Sequence, residues 1–436
     1  MQTPSVTLLS LPNELLALIA AAGQSWSRVR DFLPQATLEW TLSHVSRCLR
    51  NVMIGNPALW TVVEADLSLE GSVEIARLYL KRSHNLPLAV TLQHRSELPG
   101  ISKHERVTKR LSPLVLPINR ISWLRIAVHT QRGDDLLLAP FRGLAAPALR
   151  HLEVVNLVSN SRTRPIKLFS AGAPRIRFLK MYAQDLQSPM PWTSSLTHLE
   201  LRQYHGNQSL DKVLAHCPSL VYLYLDMQQA PLNHRVRIPS LQSLYITIPN
   251  ILNGTPLEII DVFDTPSLTE FTIMGFHGFD IFELFSSTSL PHASFPSLDS
   301  LCFVKNHRWP CYCEYNNISF PETSCTPFYL FPALSSLALI DVCFISHIVK
   351  AVAPTSATCP ALQTIAISTK TAVEDVRSAV SDTMDSYLQH DQPLPTLRLS
   401  PALASCEEWQ KNGIAVEKFD PMDVLQVFLV SDSQYA

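Results

Sequence analysis

The frame Pro-x-Leu-x-x-Leu-x-Leu recurs along most of this chain, and no other feature limits its fold so tightly. It is clearest at Pro218-Ser-Leu220-Val-Tyr222-Leu223-Tyr224-Leu225 and returns from Pro147, Pro174, Pro239, Pro266, Pro296, Pro332 and Pro360. Ser194 to Leu201 carries it without the proline. The first apolar positions (Leu149, Ile176, Leu196, Leu220, Leu241, Leu268, Leu298, Leu334, Leu362) lie 20 to 36 residues apart. Leucine-based self-similarity at such a period is the mark of a stacked solenoid. Leu223 and Leu225 are two apart, so in a strand they share one face while Tyr222 and Tyr224 take the other. One short strand cannot bury its apolar face alone, but stacked copies share a continuous core. Proline suits the turn entering each strand, because its φ is fixed and it has no N–H to give a ladder. The expected fold is α/β, with the strands stacked in one curved parallel sheet.

Composition narrows the function. Apolar residues make up 46% of the 436 and charged ones 17%, for a net charge of −2. That balance argues against bulk attraction to nucleic acid or to an anionic membrane, and no run is long enough to span a bilayer. Thr7 to Ala22 holds Pro12, Asn13 and Glu14 with no basic residue before it, so it does not read as an export signal. Nine cysteines, an odd number in a chain this long, fit reduced thiols and a cytoplasmic or nuclear setting. Neither a P-loop nor a G-x-G-x-x-G fingerprint is present, and no cofactor is expected.

Ahead of the repeats, Leu11-Pro12-Asn-Glu14-Leu15-Leu16-Ala-Leu18-Ile19 opens a helix with Pro12 in its first turn. Leu38, Leu42, Val45, Leu49 and Val52 recur at helical spacing and predict one helix from about Pro34 to Ile54. So small a helical unit carries more apolar side chains than it can bury, and the surplus must cover something else. Leu11-Pro12-x-Glu14-Leu-Leu, Val45-Ser46-Arg47-x-x-Arg50 and Asn56-Pro57-Ala-Leu59-Trp60 together resemble an F-box, particularly that of fungal F-box proteins. With the repeats, the chain resembles an F-box protein with a leucine-rich-repeat solenoid. The resemblance implies an F-box over 5–62, a linker helix and first strand over 63–117, a leucine-rich-repeat-like solenoid over 118–420 and a tail over 421–436. It also implies docking on the Skp-type adaptor of a cullin–RING ubiquitin ligase, with the chain as substrate receptor and no enzyme itself. The adaptor-facing residues would be Leu11, Pro12, Leu15, Leu16, Ile19, Val45, Arg47, Leu49, Arg50, Pro57, Leu59 and Trp60. Leu49 stands where the family usually has Trp, which favours a rival reading, a binding scaffold without a ligase role. A cap that merely closes the solenoid end is the structural alternative.

Ser72 to Ser83 reads as a helix with Ser72 as N-cap, and Leu88 to Leu92 alternates as a strand. Past the last frame, Val373, Val376, Val380, Met384 and Tyr387 form a helical stripe. Two constellations could carry chemistry. His307, Cys311, Cys313 and Cys325, with Cys302, offer zinc-type ligands, but Cys-x-Cys is not the usual ligand hairpin and a loop with free thiols is expected. The positions between core residues are richer. Lys180, Tyr182, Arg202, Tyr222, Tyr224 and Tyr245 should meet on the concave face, and clustered Tyr and Arg are typical of binding hot spots. Later strands offer Ser300, Cys302, Ser336, Ala338, Thr364 and Ala366 instead, which are small and bland. A target protein is therefore expected on the early strands, its identity open.

Overall fold

The computed structural model describes residues 11–27, 38–95, 102–128, 137–156, 168–182, 190, 192–204, 210–227, 236–247, 263–275, 295–305, 328, 331–342, 345–354, 361–369, 373–404 and 414–421. Two compact units make up the chain, the first mainly Met1–Leu179 and the second mainly Thr193–Val427.

The first unit begins with α1 (Asn13–Ser27), α2 (Leu38–Val45) and α3 (Arg47–Gly55). The single long helix expected here is broken at Ser46. That residue is extended (φ −152°, ψ 162°), and its hydroxyl accepts from the Leu49 N–H at 3.1 Å, so it starts a new helix by capping it. Then come β1 (Val62–Asp66), α4 (Glu70–Arg82), β2 (Leu88–His94), α5 (Ser102–Val115), β3 (Ile121–Val128) and β4 (His151–Asn156). These strands are parallel and adjacent in chain order, with Val63, Val90, Leu124 and Leu152 in register and buried. Ser72 does not cap α4. The helix starts two residues earlier, and the Ser72 hydroxyl accepts from the Asp66 N–H at 2.9 Å, tying helix to strand.

After β5 (Phe178–Tyr182), the second unit carries β6 (His198–Tyr204), β7 (Tyr222–Met227), β8 (Val236–Arg237), β9 (Ser243–Thr247), β10 (Phe263–Asp264) and β11 (Glu270–Met274). It continues with β12 (Ser300–Val304), β13 (Ser336–Ile340), β14 (Thr364–Ser368), β15 (Thr396–Leu399) and β16 (Val416–Lys418). β8 and β10 pair in a separate two-stranded ribbon, and the others form a parallel sheet in chain order. Leu199, Leu223, Leu244, Phe271, Leu301, Leu337, Ile365 and Leu397 stand in register, none more than 1% exposed. The helix Val373–Gln389 buries Val376, Val380, Met384 and Tyr387, as its stripe predicts.

The turn that enters seven of the strands explains the proline. The N–H of Leu149, Ile176, Leu220, Leu241, Leu268, Leu298 and Leu334 donates in each case to the carbonyl three residues earlier. Proline then occupies the second position of a four-residue turn, where its fixed φ is favoured. The accepting residues are Ala146, Ala173, Cys217, Ile238, Thr265, Phe295 and Phe331, all at most 1% exposed. The repeating unit is thus one buried residue longer than the leucine frame alone.

Candidate functional site

On α1, Leu15, Leu18 and Ile19 are 45%, 64% and 49% exposed; Val45 ends α2 at 65% and Ile54 lies on α3 at 41%. Large apolar side chains are rarely left to water in one short segment. Pro12, Arg47 and Arg50 are also exposed, and Leu11 and Pro57 half-buried. Leu16, Leu49, Leu59 and Trp60 are not surface residues: each is at most 4% exposed. They are corrected here to the interior of the helical segment. The Trp60 Nε1–H donates to the Met53 carbonyl at 2.8 Å, its ring meets Tyr79 edge-on, and the Arg82 guanidinium lies 4.2 Å from its centroid. The Tyr79 hydroxyl in turn donates to buried Glu39 at 2.5 Å, so α2, the Trp60 turn and α4 are bonded together. A Leu at position 49 fits this packing because the side chain points inward.

On the sheet, the positions alternating with the core leucines carry two groups. In the first unit, His151 stacks on Trp123 and on Phe178, the latter at 3.9 Å between centroids, and its Nε2 lies 2.7 Å from Glu153. Arg125 pairs with the same Glu153 at 3.5 Å. In the second unit, Tyr222 stacks on His198 at 5.6 Å and meets Tyr245 at 4.8 Å with the rings tilted by 33°. Ser243 and Tyr245 both donate to the Glu270 carboxylate, at 2.9 and 3.2 Å, while Tyr224 meets Thr247 at 3.1 Å. Burial pushes the Tyr222 hydroxyl well above the usual phenol range, with Glu200 adding to it. Burial and then Glu270 do the same for Tyr245, so both phenols are neutral donors.

The sequence-derived set is therefore partly assembled. Tyr222, Tyr224 and Tyr245 do come together, each half-buried on neighbouring strands β7 and β9. Tyr182 and Arg202 are half-buried on β5 and β6. Lys180 is corrected from an open contact residue to an internal one, 7% exposed and 3.0 Å from Glu200. Glu270 was overlooked, although it occupies the same frame position as Tyr222 and Ser243 and could have been found by alignment.

Farther along, the alternation of buried and open positions stops. Cys302, Val304, Ala338, Ile340 and Ala366, on the face away from the leucine core, are at most 9% exposed and cluster with Phe419 and Met274. The small residues there are packed rather than bland filler. Burial pushes the Cys302 thiol up to about 12, so it is a protonated core group rather than a ready thiolate ligand. His307, Cys311, Cys313 and Cys325 lie outside the described residues, and among the described residues no three potential ligands converge.

Parallel strands in chain order, seven of them entered by the same proline turn and leucine frame, define an α/β leucine-rich-repeat solenoid. Residues 137–281 match the family described as "FBD-associated F-box protein At5g56370, LRR repeats". That match supports an F-box protein with leucine-rich repeats; the relative it describes is a plant protein, and nothing supports a fungal origin. No curated protein matches the chain. Among solved structures, a protein from Bacteroides fragilis is similar at 13% identity over 78% of each chain, with a TM-score of 0.31, too low to carry any argument.

Proposed function

We propose that this chain is the substrate-recognition subunit of a Skp–cullin–F-box ubiquitin ligase. Its N-terminal helices would hold the Skp-type adaptor and its repeats a target protein. The observation that carries the reading is the exposed apolar set Leu15, Leu18, Ile19, Val45 and Ile54, which gathers half of the exposed large apolar side chains among the described residues into the segment whose motifs resemble an F-box. The leucine-rich-repeat match to an F-box-associated family supports the same assignment. The chain itself does no chemistry; it holds the target near a ubiquitin-carrying enzyme, which is catalysis by proximity supplied elsewhere. The target surface is the Tyr222–Tyr224–Tyr245 group, whose rings are rigid and whose hydroxyls are neutral donors. We place the chain in the cytoplasm or nucleus, as the odd count of nine cysteines in so long a chain suggests.

The test is co-purification of the full chain with a Skp-type adaptor. Leu15→Glu with Leu18→Glu and Val45→Glu should abolish the complex while the circular dichroism spectrum and melting temperature stay those of the wild type. Native-strength binding by that variant would leave the chain a binding scaffold without this ligase link.

A further inference from the structure

We propose that the Tyr222–Tyr245–Glu270 surface takes a cationic side chain, lysine or arginine, from the bound protein segment. This deepens the target-binding reading above and rests on it. The argument is one of charge and ring geometry within the second unit. On β6 the positions facing away from the leucine core carry Glu200 and Arg202, but along β7, β9, β11, β12, β13 and β14 the same positions include Asp226 and Glu270 and not one Lys or Arg. Lys180, the cation two strands before Tyr222, is already spent on Glu200 at 3.0 Å. Glu270 is exposed, and among the described residues its carboxylate accepts hydrogen bonds from the hydroxyls of Ser243 and Tyr245, which orient it without neutralising it. Among the described residues no cation pairs with it.

Beside that carboxylate stand two phenol rings, 4.8 Å apart between centroids. Ring faces attract cations, and the attraction grows as water is removed. The hydrogen bond to Glu270 fixes the Tyr245 ring, so little side-chain freedom is lost on binding. An acidic or phosphorylated segment would meet the Glu270 carboxylate with like charge. A neutral apolar segment would leave the Glu270 charge desolvated and unpaired. Lysine and arginine satisfy the carboxylate and the rings at once.

The test uses the full-length chain and peptide libraries with randomised flanks around one fixed residue: lysine, arginine, glutamine or glutamate. The wild type should enrich the lysine and arginine libraries about tenfold over the glutamate one, the size expected of one charge-assisted contact with ring support. Glu270→Gln keeps the hydrogen-bond acceptor and removes the charge; it should erase most of that preference and flatten its dependence on salt. Tyr222→Ala should weaken binding to every library. If the wild type binds all four libraries equally, prefers glutamate or binds none, the cation assignment falls. If binding is lost in Tyr222→Ala but shows no charge preference, the target surface stands and only its chemistry is wrong. If Tyr222→Ala and Tyr245→Ala leave all peptide binding unchanged, the target surface itself is misplaced.

Discussion

Replacing Leu244 with alanine tests the solenoid core at its most enclosed point. Leu244 is fully buried, stands in register between Leu223 and Phe271, and has a parallel strand on each side of its own. Because both flanking strands are held by ladder hydrogen bonds, the backbone cannot close in on the space left behind. Emptying a buried leucine site costs about 2–5 kcal/mol, and sites that cannot collapse lie in the upper half of that range. The expected loss is therefore about 3–5 kcal/mol. The control is Tyr224→Ala on the adjacent strand, where the side chain is half-buried and its hydroxyl lies 3.1 Å from that of Thr247. Losing a partly exposed hydrogen bond and some cross-strand contact amounts to about 1 kcal/mol. Urea titrations followed by circular dichroism, with the slope checked for constancy, give both numbers. Equal losses for Leu244→Ala and Tyr224→Ala would show that the two sheet faces have been assigned wrongly.

In the N-terminal helices, Trp60→Ala should cost about 3–5 kcal/mol, since it removes a fully buried ring and its bond to Met53, whereas Leu18→Glu should change the melting temperature little. Phe419→Ala should likewise cost about 3–5 kcal/mol by opening the second apolar cluster, and Ala338→Asp should be worse than Ser336→Asp in thermal melts, because Ser336 stays partly open. Cys217 and Cys302 give a pH dependence: burial raises each folded-state thiol from 9.0 to about 12. The unfolded chain releases those protons first, so stability is intact below about pH 9 and falls above it toward pH 12, by about 1.4 kcal/mol per pH unit for each thiol. Alkaline melts of the Cys217→Ala, Cys302→Ala double variant should show a shallower decline than the wild type.

The repeats were legible because their signal is periodic and local: proline at the turn, then leucines whose spacing selects one strand face. Stacking copies of one frame also sets their register: aligning Tyr222-Leu-Tyr224 with Ser243-Leu-Tyr245 puts Tyr224 opposite Tyr245 and Tyr222 on its diagonal, within ring reach. What escaped was of a different kind. The break at Ser46 hides inside an unbroken helical period, because a capping serine leaves the apolar spacing on either side unchanged. Ser72 has the composition of a cap, yet an acceptor for the Asp66 N–H was the stronger local demand. The inward turn of Trp60 is met by Tyr79 and Arg82 of α4, residues remote in sequence whose partnership no spacing announces.

Small residues on a strand have two opposite meanings, and only burial separates them. Ala338 and Ala366 would be bland on an open face, but against Phe419 they are small because a packed layer needs room. In the second unit the face away from the leucine core thus divides into a part open to a partner, around Tyr222, Tyr245 and Glu270, and a part the chain has closed upon itself from Cys302 to Ala366. Any target that grips the repeats by this face must do so on the first part. Binding there and stability at Phe419 are consequently separable: Phe419→Ala should lower the melting temperature without altering peptide preference, and Glu270→Gln should do the reverse.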